Sequence, residues 1–475
     1  MAAPERCTDR ASVDVEHGSP APPDIPPPSP RRWLILAIVS VGFLMVSIDQ
    51  TAVSTALQAI GTDLGASLAW TSWTITLYAL GQIIAMPVCG RLCEQFGRKR
   101  MFVIGVGMFT LASAACGLAD HIGLLVAARA VQGLAGGAML PTATGLVSDS
   151  FGPQRDRAVG MFTSIFPIGA LIGPVVGGVL VHLAGWRWIF MVNVVPGLVL
   201  CLAAALLIHE KRPAGRRQTI DWLGIAVLVV LLLAVMTAAA RFGNGSLTDP
   251  LALIGLGVAV VALPVFWWHI RREPDAVVPA RLVVGNLFGR MNVVNVVFGA
   301  AVIGFGSLVP LYAQLRYGID PLTSGGLLTA RAVGTIGTSS LAVWLIRRTG
   351  QRVLIIGGFA VVVAGVLMLA APVASGVEMW LTIGAAITGL GMGLSAPAAN
   401  NAIMHLARGE VAAVSGLRGM FRHCGAIAAV STVTALTTAS AVPGEVVAWS
   451  FVVLAGLLVA CVPLVLTIPD RREGW

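Results

Sequence analysis

Charge is what this chain has least of. Only 11% of its 475 residues are Asp, Glu, Lys or Arg, against 57% hydrophobic. An ordinary soluble domain carries about a quarter charged residues, so that class is excluded and a polytopic helical membrane protein is expected. Lysine is almost missing, at Lys99 and Lys211 alone, so the formal charge of +9 is carried by arginine. The arginines form no single basic patch for a nucleic acid. They recur in short groups between apolar runs, as membrane topology and anionic headgroups explain. The seven cysteines are scattered, and four of them (Cys116, Cys201, Cys424, Cys461) sit among apolar residues. Cys89 and Cys93 flank a basic loop with no histidine nearby, so free buried thiols are expected rather than a metal site or disulfide framework. No phosphate-cradling glycine loop and no nucleophile–base pair occurs, which speaks against ATP drive and enzymatic chemistry.

Long apolar runs are what the chain has instead. From Trp33 onward they predict fourteen spans, at 33–57, 69–90, 101–119, 122–147, 157–182, 188–208, 221–240, 251–270, 291–314, 322–346, 352–373, 378–405, 412–437 and 446–468. Each approaches or exceeds the roughly 20 residues that cross a bilayer. All must be helical, because lipid offers backbone amides no partner. Residues 1–32 are polar and Pro-rich, predict a disordered cytoplasmic tail, and have no signal-peptide layout.

An even number of spans puts both termini on one side. Arg31 and Arg32, Arg98 to Arg100, Arg155 and Arg157, Lys211 to Arg217, Arg271 to Arg290, Arg347 to Arg352, and Arg408, Arg418 and Arg422 all group there. The positive-inside rule makes that side cytoplasmic. Arg129 and Arg331 fall inside spans. Trp267 and Trp268 read as an interfacial belt, and His405 and His423 as solvated or capping residues near cytoplasmic ends.

The two halves also resemble each other. Gly133-Leu-Ala-Gly-Gly137 through Pro141 is echoed by Gly389-Leu-Gly-Met-Gly393 through Pro397, at an offset of 256. Gly97-Arg98 is echoed by Gly350-Gln351, at 253. The expected fold is therefore an all-α polytopic membrane protein of two six-helix bundles, 33–210 and 286–469. Two extra central helices occupy 211–285, and 470–475 form a cytoplasmic tail.

The carboxylates are the most informative inventory. Nearly all lie in tails, loops or the last turn of a span, and only Asp49, in Ser47-Ile-Asp49-Gln-Thr51, falls well inside one. A charge at that depth is expensive and must face a cavity, be paired or be protonated, which makes Asp49 a proton-carrier candidate. Asp49 lies eight residues before the outer end of span 1, and Arg129 eight residues after the outer start of span 4. At about 1.5 Å per residue both sit roughly 12 Å below the outer face, so an ion pair is possible. In span 5, Gly169, Gly173 and Gly177 share one helix face suited to close packing. Pro174 suits a bend there, and Gly178 follows.

Gly90-Arg-Leu-Cys-Glu94-Gln-Phe-Gly97-Arg98-Lys99-Arg100 resembles the signature loop between the second and third helices of the major facilitator superfamily. Glu94 stands where Asp is usual. Asp49 and Thr51 resemble the span 1 pattern of that superfamily's fourteen-helix drug:proton antiporter family. Arg129, Gln132 and Gly133 resemble its span 4 pattern, and Gly169 to Gly178 its antiporter motif. Trp186-Arg-Trp-Ile-Phe190 with Asn193 and Pro196, Asp221-Trp-Leu-Gly224, Tyr312-Ala-Gln314 and Ser324-Gly325 extend the likeness over about residues 33–440. Ser54, Gln58 and Ala330 depart from the family, which often has Asn and Pro at the first two positions and Pro before Arg331.

The resemblance implies the major facilitator fold and proton-coupled export of drugs, antibiotics or related small molecules across the cytoplasmic membrane. Alternating access would be powered by the proton motive force, without a cofactor or metal. The partners implied are a small-molecule substrate, protons and the lipid bilayer, with no nucleic acid, and the transporter would be monomeric. Asp49 would carry the proton and Arg129 couple it, while span 5 would seal the cavity outside. Glu94, Arg98 and Asp149 would form a cytoplasmic charge latch within the gate motif of Gly90, Gly97, Lys99 and Arg100. Thr51, Gln132 and Arg331 are candidates for the substrate cavity. A proton-coupled importer and a transport-inactive receptor or scaffold remain open, as does the substrate's charge, with one buried acid set against two buried cations.

Overall fold

The computed structural model describes residues 29–209, 221–242, 249–273, 276–406 and 411–467. The expected tails and the basic stretch Lys211 to Arg217 lie outside these residues. All regular structure among the described residues is helical. The long helices are α1 (Arg32–Ala52), α2 (Leu68–Phe96), α3 (Arg98–Gly117), α4 (Ile122–Phe151), α5 (Ile165–Ala184) and α6 (Val194–Leu207). Then follow α7 (Trp222–Phe242), α8 (Pro250–Arg272), α9 (Asn286–Phe298, a π-helical turn Gly299–Gly304, and Phe305–Tyr317) and α10 (Pro321–Thr349). The chain continues as α11 (Gln351–Ala370), α12 (Val377–Leu406), α13 (Val411–Thr438) and α14 (Pro443–Ala460).

Among the described residues, eleven helical segments are long and apolar enough to cross a membrane, and α7 adds a shorter apolar one. Helices α10 and α13 are as long as the others, at 29 and 28 residues, but carry Arg331 and the pair Arg418 and Arg422. The order is consistent with the fourteen crossings expected. The sequence reading counted Arg418 and Arg422 among the cytoplasmic-side cations within span 13; they lie about two and three turns inside α13, and Arg418 is 7% exposed.

Helices α1, α3, α4 and α6 close around one apolar core that includes Val39, Val46, Phe102, Phe109, Met139 and Leu200. Helices α9 to α14 surround another, with Phe298, Phe305, Tyr312, Phe359, Val366 and Phe451. Two features show that the internal repeat is three-dimensional. Gly97 (φ 91°) and Gly350 (φ 84°) break α2 from α3 and α10 from α11 in a backbone conformation that a side chain would strain. Gly133 of α4 also sits directly on the backbone of Tyr78 in α2, as Gly389 of α12 sits on that of Arg331 in α10. Arg331 thus occupies in the second bundle the position Tyr78 holds in the first.

The bundles touch where glycine admits a neighbouring backbone. A side chain at Gly90 of α2 would lie 2.7 Å from the Ala413 Cα of α13, and Gly416 of α13 abuts the Met86 carbonyl of α2. Ser415 Oγ donates to Thr144 Oγ1 of α4 at 3.4 Å. These contacts lie toward the end of the molecule that gathers Arg31, Arg98, Asp149 and His209, here termed the basic face. The central helix α7 lies along the same seam: Leu228, Leu232 and Met236 share a core with Leu80 and Ile83 of α2. Its start is tied to the end of α8 through Asp221. One oxygen of that carboxylate faces His269 Nε2 at 2.8 Å, and the other accepts from the Val277 amide at 3.1 Å.

Candidate functional site: a buried carboxylate held by four helices

Asp49 is carried by α1 at the level where four helices of the first bundle converge. Arg129 Nη1 donates to Asp49 Oδ2 at 2.6 Å, and both side chains are almost wholly out of water. Gln132, one turn along α4, donates to the other carboxylate oxygen at 3.0 Å, and Asn193, at the start of α6, donates to it at 3.2 Å. Gln132 also donates to Ser113 Oγ of α3 at 2.6 Å and accepts from Arg129 Nη1 at 2.6 Å. Arg129 Nε caps the Thr74 carbonyl of α2 at 3.2 Å, and its guanidinium lies 3.9 Å from the centre of the Tyr78 ring. The carboxylate thus accepts three hydrogen bonds. Burying a carboxylate without such partners would be costly.

On its other side α1 rests in the span 5 motif. Gly169 meets Ser47, Gly173 meets Thr51 and the Ile48 carbonyl, and Gly177 meets the Ala52 carbonyl, each closer than a Cβ would permit. Ser47 Oγ donates to the Phe166 carbonyl at 2.7 Å. Pro174 is exposed, and Gly178 points into open space, so neither belongs to the contact. The segment of α1 that carries Asp49 is therefore wedged between a glycine groove and a polar cluster.

Among the candidates from sequence, the structure brings together Asp49, Arg129 and Gln132. It does not bring Thr51 to them: that hydroxyl donates to the Ser47 and Ile48 carbonyls of its own helix, at 3.0 and 3.2 Å. Arg331 is in the other bundle. Arg98 pairs with Asp149 and donates to the Gly145 carbonyl at 3.1 Å, which fastens the start of α3 to the end of α4. The Glu94 side chain lies outside the described residues. Gly90 has a role the motif alone did not specify, as the point where α2 meets α13. Lys99 and Arg100 open α3 on the basic face, half-buried and exposed respectively.

Sequence reasoning missed Ser113, Thr74 and Tyr78, and it quoted Asn193 without linking it to Asp49. The depth argument that matched Asp49 to Arg129 also reaches them. Ser113 lies four residues before the end of α3 and Thr74 six after the start of α2, both within the third of their helices away from the basic face.

Nearer the end opposite the basic face, Asp63 accepts from Arg187 Nη1 at 2.5 Å and from Trp186 Nε1 at 3.1 Å. The Arg187 hydrogen bond, with the indole's help, holds the Asp63 carboxyl below its usual value.

Comparison with known proteins agrees with this architecture. The family model of the Major Facilitator Superfamily matches residues 39–430 and 291–475. A puromycin resistance protein of Streptomyces alboniger is 30% identical over 444 residues, covering 91% of this chain and 86% of its own. A probable actinorhodin transporter of Streptomyces coelicolor is 31% identical, covering 82% and 70%. Multidrug resistance protein 3 of Bacillus subtilis is 28% identical, covering 77% and 71%. The crystal structure of the human organic anion transporter MFSD10 superimposes with a TM-score of 0.68 at 13% identity, covering 92% of this chain and all of that one, a likeness of fold. With its repeat, its buried ion pair and its span 5 groove, the chain belongs to the major facilitator superfamily of transporters, in the drug:proton antiporter family.

Proposed function

We propose that this protein exports drug-like small molecules from the cytoplasm in exchange for protons, with Asp49 as the proton carrier. The observation that carries the reading is the Asp49 cluster. A carboxylate wholly withdrawn from water accepts hydrogen bonds from Arg129, Gln132 and Asn193. Protonation removes its attraction to Arg129 and frees α1 to move against α4. A substrate that binds one state and a proton that binds the other then drive each other across. The span 5 groove on α1 sets the path of that movement, since glycines let the two backbones slide in contact.

In this reading the basic face is cytoplasmic and the protein lies in the cytoplasmic membrane. The contacts Gly90–Ala413, Met86–Gly416 and Thr144–Ser415 then close the cytoplasmic side, and Arg98–Asp149 steadies the α3 and α4 ends beside them. The names of the bacterial relatives, which refer to multidrug and puromycin resistance, support a drug-like cargo.

The test is proton release from energised inside-out vesicles when ethidium, puromycin or an aromatic carboxylate is added. Compound-specific release that disappears in Asp49→Asn supports export coupled at Asp49. Full release in that variant contradicts it.

A further inference from the structure

The second bundle contains a group of arginines that the proposed coupling does not use. Arg418 and Arg422 are one turn apart on α13 and share a face. On that helix they fall between Ser415 and Gly419, which touch α4 and α2 of the first bundle, and Gly425, which touches α9. Their direction is therefore toward the seam between the bundles. Arg422 lies over the ring of Phe298, 4.3 Å from its centre. Phe298 is the last residue before the π-helical turn of α9. Arg331 comes to the same turn from α10, donating to the Val302 carbonyl and lying 3.5 Å from Met392 Sδ of α12. Single π turns inside helices are frequent at functional sites.

Among the described residues, Arg418 Nε and Nη1, Arg422 Nε and Nη2, and Arg331 Nε are buried with no hydrogen-bond partner. The described carboxylates of the second bundle are Asp320, Glu378 and Glu445, all at the helix ends away from the basic face. In the first bundle Arg129 is neutralised by Asp49. In the second, Arg331 replaces the Tyr78 equivalent and nothing described replaces Asp49. An arginine does not shed its proton, so buried guanidinium donors of this kind need an acceptor from outside the chain. The planar fork matches carboxylate, sulfonate or phosphate oxygens, and the Phe298 ring beside Arg422 and the Met392 thioether beside Arg331 offer apolar contact.

We propose that Arg331, Arg418 and Arg422 bind the anionic group of an amphipathic organic anion, the transported substrate. The assignment rests on the export reading and narrows it: one helix pair handles the proton in the first bundle, and another handles an anionic cargo in the second. Substrate and proton then meet through bundle movement rather than at one carboxylate.

The test is calorimetric binding to the purified full-length protein in a neutral detergent. The probes are 1-naphthoate, 1-naphthalenesulfonate and 1-naphthyl phosphate, each beside its uncharged ester or amide, and 1-naphthylmethylammonium. The expected result is that at least one acid binds tenfold or more tighter than its neutral counterpart. That binding falls at least tenfold in Arg418→Gln and Arg422→Gln and is largely kept in the matching Lys variants. Preference for the ammonium or the esters, no binding of any acid, or acid binding untouched by the Gln changes overturns it. Displacement of the acid by phosphatidylglycerol but not phosphatidylcholine assigns the arginines to a lipid headgroup and also overturns the substrate role. If the Gln variants do not elute as folded protein, the acid-against-ester comparison in the wild type decides. The two readings fail separately. Proton release driven by ethidium and lost in Asp49→Asn, without acid binding, leaves export and removes the anion site. Acid binding that depends on the arginines, without proton release, does the reverse.

Discussion

Arg129 and Asp49 meet at 2.6 Å between α4 and α1, with less than 2% of either side chain exposed. Removing one member of such a pair strands the other, which costs about 3–5 kcal/mol. Arg129→Gln is therefore expected to lower the melting temperature of the purified protein sharply. Asp49→Asn/Arg129→Gln should recover a clear part of that loss, because no charge is left stranded. A double variant no more stable than Arg129→Gln contradicts the pairing, and thermal unfolding of the four proteins gives the answer.

The glycines divide into those that touch a backbone and those that do not. Gly173→Ala drives a methyl into Thr51 and the Ile48 carbonyl, whereas Gly178→Ala adds one in open space. The expected outcome is that Gly173→Ala loses most export and at least tenfold in folded yield, or traps α1 against α5. Gly178→Ala should stay within about twofold of wild type. Transport assays and size-exclusion profiles of both variants check this.

Gly90 and Ala413 mark the closure on the basic face. In a cysteine-free background, Thr144→Cys/Ser415→Cys, whose hydroxyls meet at 3.4 Å beside this contact, should cross-link under mild oxidant and stop transport, with activity restored by reductant. Transport that proceeds with the cross-link in place would show that this seam does not open during the cycle.

Asp63 offers a check on pH dependence. Its hydrogen bonds from Arg187 and Trp186 depress its pKa from the usual 3.8. A depressed carboxylate stabilises the fold above its unfolded value and loses that contribution as pH falls through its folded value. Wild type and Asp63→Asn should therefore differ in melting temperature at pH 7 and converge once the pH has fallen below the folded value of Asp63. A constant gap across that range contradicts the linkage. The difference is expected to be small, because both partners are largely exposed.

Much of the fold was legible because the bilayer constrains sequence strongly. Apolar runs had to be helices, the glycine echoes Gly133 and Gly389 reappear as the same helix–helix contact, and Asp49 and Arg129 were matched by depth alone. What was not legible depended on rotation about a helix axis. Thr51, two residues from Asp49, turns to its own backbone and to Gly173. Asn193 and Ser113 are ordinary polar residues whose meaning lies in facing Asp49 from α6 and α3. Arg418 and Arg422 were counted as topology signals because they lie near the start of an apolar run. Only the packing of α13 on α9 and α2 reveals them as interior.

The central claim is that substrate and proton exclude one another through Asp49, and its most direct measurement needs no membrane gradient. A bound substrate, identified from the probe panel, is titrated into weakly buffered, detergent-solubilised protein while proton release is read with a pH dye between pH 5 and 8. The account predicts proton release on substrate binding in the wild type, and none in Asp49→Asn despite retained binding. Equal release in Asp49→Asn, or none in the wild type at any pH in that range, would contradict it.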